Sequence, residues 1–152
     1  MITSKGVRFA PLLSLPCDPG FPAIECIIEM TIGRIIHTHN NHVLLNKVRW
    51  CESFGCKFLG LMLRRALPED EGLLLVGTHA SRSAAAIHML FMLFPITVIW
   101  LDNEFRVVDK VFARPWRLAY IPAQPARYTL EAHPDLLDKI EVGDLLNFEA
   151  AT

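Results

Sequence analysis

The feature that most restricts this chain is a run without charge. Residues 83–101, SAAAIHMLFMLFPITVIWL, hold no Asp, Glu, Lys or Arg across nineteen positions. That length meets the requirement for one transmembrane helix. The interior of the run argues against one. His88 and Pro95 interrupt it, and Arg82 and Asp102 bound it with no apolar length to spare. Its second half, residues 96–100, is rich in β-branched and aromatic side chains, which fit a pleated, buried surface. The run therefore reads as two buried strands hinged near Phe94 and Pro95, with no membrane span.

Composition agrees with a packed domain. The chain has 152 residues, of which 52% are hydrophobic and 20% charged. Its mean hydropathy is +0.31 and its formal net charge is -1. A disordered chain needs low hydrophobicity or a large net charge. A strongly basic nucleic-acid binder does not have a pI near 6.6. At this length a single domain buries roughly 70% of its unfolded surface, so no staple is required. Cys17, Cys26, Cys51 and Cys56 show no CxxC pair. On a helix, positions five apart such as Cys51 and Cys56 point roughly 140° from each other. All four are expected as free thiols, buried or half-buried. Residues 7–17, VRFAPLLSLPC, follow Lys5 and have the outline of a lipoprotein signal, but Pro11 and Pro16 break it. A cytoplasmic location is therefore expected.

Turn residues and periodicity divide the rest of the chain. Residues 1–30 read as an extended, proline-marked arm, with 24–30 as an edge strand, and 31–150 as one domain. Within the domain, 31–37 and 42–50 read as strands joined at Asn40 and Asn41. Residues 51–65 switch to helical spacing, with Ser53 as N-cap, weakened by Gly55 and Gly60. Pro68 ends that helix, and PEDEG makes a polar turn. Strands are expected at 73–77, 86–92, 96–101, 105–112, 128–132 and 144–149, with a tight turn at 102–104. Pro134 opens a second short helix over 134–141. Many short strands and two short helices indicate an antiparallel β-sandwich or barrel.

Four segments then match a known pattern in order. They are GLMLRRALPEDEGLLLV, IHMLFMLFPITVIWLDNEFRVV, RPWRL, and ARYTLEA followed by IEVGDLLNF. Over residues 33–148 the chain resembles the DUF-192 family. The resemblance implies a small, mainly β, jelly-roll-like fold and no established activity. Family members often carry an export or lipoprotein signal, and this sequence departs from that. It also has Thr97 where the family usually has Asp.

Several constellations of polar residues could carry chemistry. His37, His39 and His42 read as a polar hairpin tip rather than a metal site, because tetrahedral zinc needs further ligands and none lies nearby in sequence. His88 sits inside an apolar run. It reads either as a hydrogen-bonded structural histidine or as a ligand-contacting group at the mouth of the fold. Residues 47–65 carry five basic groups against Glu52, whereas residues 131–149 carry six acids against Lys139. These are expected as two solvated or mutually paired faces, with binding of a small anion as the alternative. Asp102, Glu104 and Asp109 read as turn acids. Trp100, Trp116 and Phe112 read as core. No GxSxG nucleophile elbow and no GxGxxG loop is present.

The expected function is a non-enzymatic module that binds a small ligand or a protein partner, with no cofactor and no nucleic acid. Its candidate ligand-binding residues are His88, Arg65, Arg64, Glu71 and Trp116. Two alternatives stand beside it. One is an enzyme using His88 with Arg65 and Glu71, if these converge on one open pocket. The other is a structural module that forms a homo-oligomer through apolar surface.

Overall fold

The computed structural model describes residues 31–151. The expected N-terminal arm, its edge strand, Cys17 and Cys26 lie outside the described residues. The fold is mainly β, with seven strands and two short helices among the described residues. The strands are β1 (Ile32–His37), β2 (His42–Cys51), β3 (Glu71–Ser81), β4 (Ile96–Leu101), β5 (Val107–Ala113), β6 (Ala126–Ala132) and β7 (Leu146–Ala150). They join one curled sheet in the order β5-β4-β6-β3-β2-β1-β7. Its two outer strands meet at one end, where Val107 N–H donates to Asp144 O at 2.9 Å and Leu146 N–H to Phe105 O at 3.0 Å. The sheet is thus barrel-like.

Local chemistry sets the turns. The β1–β2 hairpin turns at Asn41, whose φ is +54°, and Asn40 Oδ1 accepts from His42 N–H at 3.0 Å. Asparagine tolerates that left-handed conformation because its short side chain bonds locally. At the β4–β5 hairpin, Asp102 Oδ1 accepts from Glu104 N–H at 2.8 Å and from Arg106 N–H at 3.0 Å. Gly33 answers a different need. A Cβ there would lie 2.3 Å from Glu149 O, so β1 and β7 approach closely only without a side chain.

One pair departs from the expected antiparallel pattern: β2 and β3 run parallel. Parallel neighbours need a crossover, and residues 52–70 supply it. Its helix, α1 (Phe54–Leu59), is far shorter than the expected 51–65. Ser53 caps it as expected, its Oγ accepting from Cys56 N–H at 3.3 Å. Gly60 stops it with φ +24°. The same corner corrects the thiol expectation, because Cys51 and Cys56 form a disulfide with Cα atoms 5.7 Å apart. Cys51 ends a strand and Cys56 lies within α1, so the helical angle between them never applied. The second helix is a 3-10 helix over Pro134–Lys139.

Each face of the sheet carries its own core. On the first, Ile35, Leu45, Leu74, Ile99, Leu130 and Leu146 pack with Leu136 and Ile140 from the 3-10 helix region. On the second, Leu73, Val98 and Trp100 are covered by Leu61, Leu67, Ile87, Met89 and Met92. β4 serves both, and all six of its residues are buried. The expected strand over 86–92 is absent. That stretch is irregular and makes one isolated bridge, between Ile87 and Tyr120. The expected pair of hinged strands is therefore one strand, β4, preceded by a covering loop.

Candidate functional site

The second face does not close completely over the sheet. Between α1, the covering loop and β6 lies a pocket of about 160 Å³. β6 explains its polar floor. Strand residues alternate between faces, so Tyr128, Leu130 and Ala132 enter the first core while Thr129 and Glu131 turn to the second. Leu61, Met89, Met92 and Ile96 give the pocket apolar walls, and Lys57, His79, His88 and Arg127 also line it. Lys57 Nζ donates to the Val76 carbonyl, and Arg127 Nε donates to Gly77 O at 3.3 Å.

Glu131 is the unusual group here. It is 8% exposed and, among the described residues, no ion pair includes it. Burial alone pushes its carboxyl up to about 7. Removing a carboxylate from water without a charge partner favours the protonated acid. A neutral carboxyl both donates and accepts a hydrogen bond.

The sequence-derived candidates separate into three places. His88 lines the pocket and is exposed, so it is not sealed inside the sheet. Glu71 and Arg64 lie instead at the start of β3. There Lys47 Nζ donates to Glu71 Oε1 at 2.8 Å, and Arg64 Nη1 stands 3.9 Å from Glu71 Oε2. The bond from Lys47 holds the Glu71 carboxyl below its ordinary range. Arg65 is exposed and does not line the pocket. Trp116 is exposed and packs edge-on against Phe91, ring centres 5.6 Å apart. Of the aromatics expected as core, Trp100 is buried and donates from Nε1 to Ala85 O at 2.8 Å, whereas Trp116 and Phe112 are exposed.

Thr129 and Glu131 were not among the sequence-derived candidates. The sequence reading groups Glu131 with the solvated C-terminal acids, and its burial corrects that. The available signal was a charged residue inside ARYTLEA, between apolar neighbours. Thr97 lies on the other face of β4, where its Oγ1 donates to Pro134 O at 3.0 Å. The histidine cluster has an acid partner from outside its segment: His37 Nε2 lies 3.1 Å from Asp144 Oδ2. Among the described residues no group of three His, Cys, Asp or Glu side chains is placed to hold a metal ion. Nor is any helix there long and apolar enough to cross a membrane.

Fold and pocket define a small barrel-like β protein with a half-polar cavity on the outer face of its sheet. The sequence model of the DUF192 family, "Uncharacterized ACR, COG1430", matches residues 19–148, and the chain belongs to that family. A UPF0127 protein from Thermococcus gammatolerans is 39% identical over 125 residues, covering 81% of this chain and 74% of its own length. The UPF0127 protein PH1112 from Pyrococcus horikoshii is 37% identical, covering 75% of this chain and 97% of its own. A crystal structure of a protein of unknown function from Novosphingobium aromaticivorans shares the fold, with TM-score 0.67 and 21% identity. It covers 85% of this chain and 94% of that one.

Proposed function

We propose that the chain is a binding module that holds a small ligand in the pocket on its second face. The observation that carries this reading is Glu131. An acid buried without a charge partner is costly, and such groups concentrate at functional sites. Within one cavity it faces apolar walls, the neighbouring Thr129 and the exposed His88. Small-molecule sites combine apolar walls with a few convergent polar groups in this way. The ligand that fits has an apolar body and a carbonyl or hydroxyl oxygen that accepts from neutral Glu131. The cytoplasmic location read from the sequence belongs to the same proposal. His88, Arg65 and Glu71 do not share this cavity, so that trio supports no catalytic reading.

A thermal-shift screen of the full chain against sugars, small acids and nucleotides tests the proposal. The expected result is stabilisation by one chemical class that is lost in Glu131→Leu. Stabilisation that survives Glu131→Leu, or none from any class, overturns the assignment of this pocket.

A further inference from the structure

The outer surface of the covering loops has a different character from the pocket beneath it. Leu63, Phe91, Leu93, Trp116 and Leu118 are between 50% and 76% exposed. They come from three loops that hydrogen bonds draw together. Leu63 N–H donates to Phe91 O at 3.3 Å, Trp116 N–H to Met89 O at 2.8 Å, and Met89 N–H to Arg117 O at 2.9 Å. Scattered exposed apolar residues need no explanation, but a contiguous group does.

Two further observations say what kind of partner fits. Leu63, Phe91 and Trp116 have φ of +61°, +60° and +65°. Large residues rarely occupy that left-handed region, and such strain marks functional positions. Here it holds three apolar side chains outward, where burial in their own chain does not repay it. The stretches of these loops that carry the apolar group are also one-signed. Residues 60–67, 82–95 and 114–122 contain no Asp or Glu. Arg65, Arg82, Arg114 and Arg117 are exposed, and among the described residues none is in an ion pair.

We propose that this loop face is a peripheral docking surface for anionic lipid bilayers. Apolar and tryptophan side chains enter the headgroup boundary, and flanking arginines keep their charge at the anionic surface. The loop backbones bond to one another and offer no free strand edge to an extended peptide, so a lipid surface fits better than an acidic peptide. The proposal stands independently of the pocket.

The test is sedimentation of the full chain with vesicles of phosphatidylglycerol in phosphatidylcholine, against phosphatidylcholine alone. Binding to the anionic vesicles only, weakened by salt, is expected. Arg114→Ala with Arg117→Ala weakens it roughly thirtyfold, at about 1 kcal/mol for each arginine. Brominated lipid quenches tryptophan emission in the parent protein, and Trp116→Phe, which keeps an apolar ring, removes the quenching while binding persists. These positions are exposed, so circular dichroism should show unchanged folding. Absence of binding, equal binding to neutral vesicles, or indifference to the double arginine variant overturns the proposal. So does tighter binding to polyglutamate than to vesicles, or a stable dimer that Phe91→Asp dissociates.

Discussion

The two faces of this sheet are packed from the same strands by different means. The first core closes with regular elements: a curled sheet, a 3-10 helix and an end-to-end meeting of β5 and β7. The second closes with irregular chain, residues 60–67 and 82–95, anchored by Leu61, Ile87, Met89 and Met92. Regular elements satisfy their own backbone and fill space evenly. Irregular cover leaves gaps, and the pocket lies in one of them. On the function proposed above, stability and recognition fall on opposite sides of one sheet.

Four measurements can break or sharpen this comparison. The largest effect is expected in the first core. Leu130→Ala, at a fully buried position, should cost about 3–5 kcal/mol in denaturant unfolding, because the surrounding strands cannot collapse into the void. Met92→Ala on the second face should cost less, about 2 kcal/mol, since loops relax more readily. Equal costs would show that the irregular cover is as rigid as the barrel.

Next comes the pH dependence set by Glu131. Its folded value of about 7 lies above the ordinary 4.5, so the folded chain binds the extra proton between those limits. Stability is then full below about pH 4.5 and falls as pH rises through 7, by about 3 kcal/mol in all. Glu131→Gln should remove that slope and melt higher than the parent at pH 8. A parallel pair of melting curves would show that the carboxyl is not buried in solution. Asp144 acts in the opposite sense. The Glu141 N–H, and then His37, hold its carboxyl below the ordinary range. Its contribution is present above pH 3.8, the ordinary value, and is lost as acid takes the pH below it.

The third effect is reduction of Cys51–Cys56. The closed loop is short, so about 2 kcal/mol of stabilisation is expected to be lost. The loss should be local to α1, read as faster amide exchange at residues 54–60 with little change in β4. The smallest effect belongs to the β4–β5 turn. Asp102→Ala removes two bonds to backbone N–H groups and should cost about 1 kcal/mol. Uniform loss of exchange protection on reduction would mean that the crossover corner supports the first core as well.

The two faces also differ in how far the sequence revealed them. β1, β2, β4 and β5 are readable because apolar residues and turn residues reinforce one another at the two hairpins, and β6 because its apolar run lies between proline-marked loops. The covering loop misled for a physical reason. Ile87 and Met89 turn inward and His88 outward, so the period of a strand is present, but among the described residues Tyr120 is the sole bridge partner. Alternation reports burial on one side, not a neighbouring strand. The disulfide is hidden in the sequence because positions five apart diverge on one continuous helix, whereas the bridge spans a strand-to-helix corner. Of the residues that line the pocket, His88 stands out in the sequence from its apolar surroundings. Glu131 was missed because an acid in a strand looks the same in sequence whether it faces water or a cavity.

The pairing of β1 with β7 has a consequence for the chain as it is made. Their register runs from Gly33 with Ala150 to His37 with Leu146, so the first described strand waits for the last. During synthesis β1 and β2 can form a hairpin early, but one border of β1 stays open until residue 150 leaves the ribosome. An open strand border is a template for pairing with another chain. Nascent chains stalled before residue 146 should be protease-sensitive and aggregation-prone, and those released after residue 150 should be neither. Equal protection at both lengths would show that the barrel completes itself without its closing strand.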